Sequence, residues 1–573
     1  MGWKAWRRIM AMLAMTAAGL AGCAPDQPAD LVLTGGNLMT MSPDRPRARA
    51  LAIRDERLVF VGSEEGARRF IGPETRVVDL GKRVVFPGLV DAHGHLLSLG
   101  RSLSELSLTG TQSPAQIRQK VLEKQPSAPP GAWITGRGWD QNGWPGREFP
   151  TWRDLEGTEA HPVYLRRVDG HAAWVNRTAL DRAGITRDTP DPPGGRLLRD
   201  ARGEPTGVLL DNAADLVRRI IPEPSRAERL EWARAAIREC HRYGLTGMHD
   251  AGVDEATLEI LRELRDREEL TLRVYAMLDD ADSAFVARQF AAGPQVDPWL
   301  TVRALKLYAD GALGSRGAAL LEPYSDDPST RGLMVQSPDY LYRMTREALA
   351  HGFQVCTHAI GDAANRAVLD AYEKALAEVP PGDYRLRIEH CQVIAPDDFP
   401  RFGRLGLIAS VQPTHATSDM LWAEDRLGPK RIKGAYAWRT LLQSGARLAL
   451  GSDFPVESPA PLLGIMAAVA RRDVMGHPTD GWHPEQRLTG DEAIRGFTVD
   501  AAWAGFAEGE RGTLEAGKLA DLTVMDGNLD LDWDVDLDWM TYAVSDIRVW
   551  MTVVGGKVVY EGNNTPSNRR ITP

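Results

Sequence analysis

His93 and His95 close the stretch Phe86-Pro-Gly-Leu-Val-Asp-Ala-His-Gly-His95. Residues i and i+2 of a strand share a face, so an apolar run ending in His-x-His projects two imidazoles side by side where the strand leaves the core. Such a pair suits a metal ion; read alone, it is equally a polar strand end. Four more short apolar or β-branched runs end in a potential ligand: 302–306 in Lys306, 353–358 in His358, 386–390 in His390 and 446–453 in Asp453. Two imidazoles and a carboxylate would hold one borderline-soft ion such as zinc, two further imidazoles would hold a second, and something anionic would have to bridge them. Two such ions sharing a water would lower its pKa and polarise a carbonyl, with Asp453 placed to take the water's proton and return it to a leaving nitrogen. Each residue also has an ordinary role open to it. Lys306 could pair with an acidic neighbour, Asp453 could cap the following helix, and His358 and His390 could be hydrogen-bonded structural residues.

Between and after these runs lie helix-like stretches at 340–351, 363–377 and 436–445, and further strand candidates at 245–250, 271–278 and 407–412. Eight strands in a repeated strand, ligand, helix order describe an α/β protein with a (β/α)8 TIM-like barrel, whose strand ends open on one face and bring distant ligands together. About 150 residues separate His95 from Leu245, far more than an ordinary connection, so a large insert after strand 1 must fold by itself. Leaving from the active face, it is expected to roof the pocket, where Trp139, Asp140, Asp169 and His171 would contact substrate; aromatic and glycine clusters are as often plain loop packing. Segments 30–40 and 549–560 are near copies, each with two short apolar strands around a glycine turn, and with 51–61 and 520–525 they predict a small β-sandwich built from both chain ends. The expected division is 1–22 leader, 29–85 plus 510–562 composite sandwich, 86–104 plus 240–509 barrel, and 105–239 inserted lid.

The ordered set His-x-His, Lys, His, His, Asp resembles the two-metal subtype of the metal-dependent amidohydrolase superfamily. Lys306-Leu-Tyr-Ala-Asp-Gly-Ala-Leu-Gly-Ser-Arg316 and Thr357-His-Ala-Ile-Gly-Asp362 resemble amidohydrolase family 3, the branch that includes N-substituted formamide deformylase. The likeness runs from about residue 30 to 562. It implies two divalent ions, zinc by expectation, held by His93, His95, Lys306, His358, His390 and Asp453, with a carbamate on Lys306 as the bridge. It also implies a small-molecule amide-type substrate, and formamides follow from the resemblance only. Asp310 and Arg316, near the end of the Lys306 strand, could bind a polar substrate group or pair with each other. His249 and His415 could face the pocket, whereas His161, His241, His351, His477 and His483 read as surface or structural. Two rivals stand beside this reading: a mononuclear deaminase of the same superfamily using His93, His95, His358 and Asp453, and a surface-anchored binding lipoprotein without turnover. Lys306 and His390 speak against the first, and the filled ligand set against the second.

The first residues have a different character. Lys4, Arg7 and Arg8 precede an apolar run, 9–20, too short to span a bilayer and of signal-peptide length. It ends Leu20-Ala-Gly-Cys23, which looks like a bacterial lipobox with Cys23 as the acylated residue; an ordinary signal peptide with an incidental cysteine is the alternative. The leader and lipobox imply an exported chain, lipid-anchored at the cell envelope, and Ala24 after the cysteine points to the periplasmic face of the outer membrane where the cell has two membranes. Arg7-Arg8 fits a twin-arginine signal poorly. The net charge of −10, becoming −13 without the leader's three basic residues, argues against nucleic acid as a partner and leaves membrane contact to the lipid alone. Cys240, Cys356 and Cys391 are odd in number and read as buried thiols rather than a disulfide framework. A composition of 43% hydrophobic and 25% charged residues is that of an ordinary enzyme with ample core, and it allows a homo-oligomer.

Overall fold

The computed structural model describes residues 27–167, 172–192, 195–526 and 547–562. The leader with Cys23, and the expected substrate residues Asp169 and His171, lie outside the described residues. Contact density divides the chain into one unit of residues 1–94, 238–255 and 270–573, and a second of residues 95–237 and 256–269. The sequence reading put 95–104 with the barrel strands; this division groups them with the inserted segment.

Eight parallel strands form the centre of the first unit: β1 (Leu89–Gly94), β2 (Leu245–Val253), β3 (Arg273–Asp279), β4 (Leu300–Tyr308), β5 (Gln354–Ala359), β6 (Arg387–His390), β7 (Ile408–Val411) and β8 (Arg447–Leu450). Each pairs with its sequence neighbour, from β1 at one edge to β8 at the other. A parallel bridge between Gly94 and Phe454, and a hydrogen bond of 2.7 Å from the Asp453 amide to the His93 carbonyl, join the two edges, giving a nearly closed TIM-like barrel. These strands are short and buried on both faces, which is why they read as near-continuous apolar runs rather than alternating ones.

The helices carry ordinary signals. Pro338–Ala350 has Ser337 as its cap, the hydroxyl accepting from the Tyr340 amide, and a proline in its first turn. Asp362–Glu378 buries Ala364, Val368, Leu369, Tyr372 and Ala375, a stripe at helical spacing. Small residues fill part of the barrel interior: Val90, Ala92, Ile408 and Ala449 pack with Ala501 and Ala504 from the helical segment after β8.

The seam between β8 and β1 depends on Gly451. A β-carbon there would lie 2.6 Å from both Asp91 Oδ1 and the His93 amide nitrogen. The backbone around His93 cannot yield without moving the barrel seam, so Gly451→Ala is expected to destabilise the protein by about 1–3 kcal/mol, read as a lower melting temperature. An unchanged melting temperature would show that the seam is looser than this packing implies.

Flanking strands from both chain ends interleave. Lys557–Glu561, Arg548–Val554, Leu522–Asp526, Val84–Pro87, Asn37–Met39 and Arg47–Ala48 form one sheet, and Arg57–Gly62, Ala50–Arg54, Leu31–Thr34 and Arg76–Asp79 another. Leu33, Leu51 and Ile53 of the smaller sheet share a core with Val85, Leu522, Val524 and Met551 of the larger. A buried bidentate pair, Arg273 Nε to Asp521 Oδ2 at 2.6 Å and Nη2 to Oδ1 at 2.9 Å, ties strand β3 to this sheet.

The second unit holds its own sheet, in the order Gly195–Arg199, Pro205–Asp211, Ala172–Val175, Val163–Arg167, Ile134–Trp139 and Leu106–Ser107. Trp139, Trp144 and Trp174 meet at its core, with ring centroids 6.1–6.5 Å apart. Among the described residues, no helix is long and apolar enough to cross a membrane.

Candidate metal centre

Strand ends of the barrel bring five of the six expected ligands together. His93 Nε2 lies 3.5 Å from Lys306 Nζ and 3.6 Å from Asp453 Oδ1. The His93 and His390 rings are 4.9 Å apart, and those of His358 and His390 4.6 Å apart. Ligand atoms of His93, His390 and Asp453 all fall within 4.8 Å of one another. His95, the sixth, follows β1 with extended backbone (φ −133°, ψ 95°) immediately before the helix Leu96–Ser104.

The hydrogen-bond partners decide which imidazole nitrogen is available. His93 Nδ1 donates to the Glu389 carboxylate at 2.6 Å, because an ionised carboxylate can only accept. His390 Nδ1 donates to the Gln412 amide oxygen at 2.8 Å. Both rings therefore present an Nε2 lone pair to the cluster, the arrangement in which an outer partner orients a metal-binding histidine. Nε2 of His358 is buried without a hydrogen-bond partner, although Asp310 Oδ1 is 3.5 Å away. Burial pushes the His93 imidazole down to about 4 and His358 down to about 3, in each case with Lys306 adding to the effect, and it holds His390 well below the usual histidine range. All three are neutral at pH 7 and able to donate a lone pair.

Lys306 is 1% exposed, and burial lowers its pKa against the opposing pull of Glu389 and Asp453. A buried amine shifted toward neutrality is the form that can add carbon dioxide. These donors, with a partnerless ring nitrogen among them, fit divalent metal ions.

Asp453 adopts a left-handed backbone (φ 59°), and so do His390 (φ 75°) and Cys391 (φ 46°). Outside glycine such conformations are uncommon and are held only where the surroundings demand them. Asp453 is no helix cap: the next helix, Pro461–Ala470, starts after Ala460. Its position is set from below by Asp91, whose carboxylate accepts from the Ser452 hydroxyl at 2.6 Å and from the Ser452 and His93 amides at 3.1 and 3.0 Å. Burial pushes Asp91 up to about 7 in spite of these bonds.

Beneath the cluster lies a polar floor that sequence reading missed. Arg387, fully buried, donates to both Glu389 oxygens at 2.9 and 3.1 Å, to the Ala92 carbonyl at 2.7 Å, to Ser410 at 2.9 Å and to His249 Nδ1 at 2.7 Å. Burial works to raise the Glu389 pKa, but the Arg387 guanidinium and His93 outweigh it and hold the carboxyl well below its usual range. His249, which could have faced the pocket, serves this floor instead. His415 stands at the cluster: its Nε2 is 3.8 Å from Asp453 Oδ2, and its ring stacks toward His390 with centroids 6.1 Å apart.

Of the expected substrate contacts, Trp139 is corrected by its burial, and the partners of Asp140, Asp310 and Arg316 are defined. Trp139 is 0% exposed, inside the core of its own unit, with its indole N–H given to the Leu165 carbonyl at 2.9 Å; the aromatic cluster was packing. Asp140 pairs with Arg167 at 2.8 Å. Asp310 accepts from the Ala319, Ile360 and Gly361 amides at 2.8–2.9 Å, so it braces the loops after β4 and β5 rather than meeting substrate. Arg316 pairs with Asp326 at 2.8 Å, not with Asp310. Cys240, Cys356 and Cys391 are buried and free, as their spacing implied.

Barrel and donor cluster together define a metal-dependent hydrolase of the TIM-barrel kind. A model of the amidohydrolase family matches residues 76–560, and the chain belongs to that family. It is 35% identical to YtcJ of Bacillus subtilis (strain 168) over 92% of this chain and 98% of the relative. Identity to the N-substituted formamide deformylase of Arthrobacter pascens is 28%, over 93% of this chain and 98% of that enzyme. Among solved structures, an uncharacterized metal-dependent hydrolase from Pyrococcus furiosus superposes with a TM-score of 0.72 at 29% identity, covering 86% of this chain and 98% of that one. The chain is thus a metal-dependent hydrolase acting on carbon–nitrogen bonds other than peptide bonds.

Proposed function

We propose that this hydrolase cleaves the C–N bond of a small N-substituted amide, formamides first, with two divalent ions, zinc by donor chemistry, held by His93, His95, His358, His390, Asp453 and a carbamate on Lys306. The observation that carries the reading is the convergence of a buried lysine shifted toward neutrality with neutral imidazoles whose Nε2 atoms share one space. When bound, the ions supply a water acidified toward neutral pH and a polarised carbonyl. Asp453 takes the attacking water's proton on its carboxylate and delivers it to the leaving nitrogen, without which the amine is a poor leaving group. Glu389 and Gln412 hold the His93 and His390 rings in the tautomer that keeps Nε2 free. Likeness to the formamide deformylase of Arthrobacter pascens supports formamides over cyclic amides.

The test is metal content and turnover on one preparation. Protein reconstituted with zinc in bicarbonate buffer is expected to hold two ions per chain and to release formate from N-alkylformamides; Lys306→Ala is expected to lose both properties. One ion per chain, with ammonia released from amino-substituted substrates and no formate from formamides, would favour the mononuclear deaminase, and full metal content with no release from any N-formyl or N-acyl amine would favour a binder. For the address of the chain we propose lipid anchoring through Cys23 at the cell envelope, with no nucleic-acid partner. Cys23→Ala should then shift the protein from the membrane to the soluble fraction, and an unchanged distribution would refute the anchor.

A further inference from the structure

Helix Pro413–Asp419, which follows β7, presents two faces with different tasks. His415 lies toward Asp453, whereas Thr414 and Thr417, with Ser418, line a separate cavity of about 140 Å3. The opposite wall is helix Pro461–Ala470, through Leu463, Met466 and Ala467, and Val474 completes it. Ser418 donates to Glu457 at 2.6 Å across the rim, and Glu457 is only four residues beyond Asp453. One wall thus shares its helix with His415, and the rim residue Glu457 lies on the connection that leads from Asp453 to the other wall. Ser418, three residues beyond His415, stands about one helical turn from it, about 5 Å along the axis. Thr414 Oγ1 is buried there without a hydrogen-bond partner. The neighbouring Val456 and Val474 are exposed apolar residues.

We propose that this cavity receives the apolar substituent carried on the scissile nitrogen, with Thr417, Leu463, Met466 and Ala467 setting its size. The proposal rests on the amide-hydrolase reading, in which a formamide carries nothing larger than hydrogen on its acyl side, so all substrate bulk lies on nitrogen. Volume sets the limit: an apolar protein cavity of about 150 Å3 accommodates one six-membered carbon ring. A cyclohexyl or branched four- to six-carbon group fits, and two fused rings do not. Glu457 and Asp473 line the cavity together with Arg472, so its charged rim carries both signs, and it is the apolar wall of Leu463, Met466 and Ala467 that selects an uncharged substituent.

Two variants and two readouts test this. In Ala467→Phe, which fills the cavity, the ratio of kcat/KM for N-cyclohexylformamide to that for N-methylformamide is expected to fall about tenfold or more. In Met466→Ala, which enlarges it, the ratio for N-(cyclohexylmethyl)formamide over N-cyclohexylformamide is expected to rise about fivefold or more, and this variant carries the test should the phenylalanine protein not fold. Binding of N-cyclohexylformamide to the metal-loaded Asp453→Asn protein, measured by calorimetry with and without Ala467→Phe, needs no turnover and should weaken by a similar factor. Turnover by the unaltered protein with neither ratios nor binding moved overturns the pocket assignment. Weakened binding in a protein that hydrolyses no formamide would uphold the pocket and overturn the reaction instead.

Discussion

Replacing Asp453 by asparagine is expected to lower turnover by about 10²–10⁴-fold while leaving the fold intact. Asparagine keeps the shape of the side chain and tolerates the left-handed backbone that residue 453 adopts at φ 59°, so the turn after β8 survives. What disappears is the negative charge and the proton-accepting oxygen 3.6 Å from His93 Nε2. If Asp453 shuttles the proton, the loss falls on kcat, because ground-state binding of an uncharged amide does not need the carboxylate. Steady-state kinetics on protein of matched metal content separates the cases. An asparagine variant that keeps most of its kcat would assign the proton transfers elsewhere, and His415, 3.8 Å from the same carboxylate, would be the next candidate.

Replacing Arg387 by methionine is expected to have the largest effect on stability. The guanidinium and the Glu389 carboxylate are each 0% exposed, and the arginine is the cation paired with that carboxylate. Removing one partner of a buried ion pair strands the other, at a cost of about 3–5 kcal/mol. Ala92, Ser410 and His249 would lose their donor as well. The damage reaches the metal centre through Glu389, which once protonated no longer fixes His93 in the tautomer with Nε2 free; loss of such an outer partner typically weakens metal binding about 10–100-fold. A lower melting temperature together with weaker zinc affinity is the expected pair of results, and Glu389→Gln added to Arg387→Met should recover part of the stability. An Arg387→Met protein melting like the parent would show that this floor is not what supports the cluster.

The candidate ligands were legible because each lies at or just beyond the end of a buried strand, and a histidine, lysine or aspartate at that place stands out against an apolar run. The barrel followed from the same repetition. The floor was harder to see. In Arg387-Ile-Glu389-His390 two opposite charges sit two apart on a fully buried strand, a signal that could have been read, but their partners His93 and His249 lie 296 and 138 residues away along the chain. Asp91 is similar, since nothing local says that a carboxylate two residues before His93 clamps a serine 361 residues later. Trp139 misled for the converse reason: tryptophan and glycine in a loop-rich stretch look alike whether they wall a cleft or fill a core. The left-handed turns at His390 and Asp453 had no sequence signal, because the residues there were chosen for their side chains.

Val84–Pro87 pairs with Leu522–Asp526 on one side and with Asn37–Met39 on the other. Synthesis is vectorial, so a strand made among the first hundred residues waits more than four hundred for its neighbour. Until then its N–H and C=O groups form an open edge, the kind of surface on which nascent chains associate wrongly. A chain interrupted between the last barrel strand and Leu522 would therefore carry the barrel strands beside an unfinished sheet.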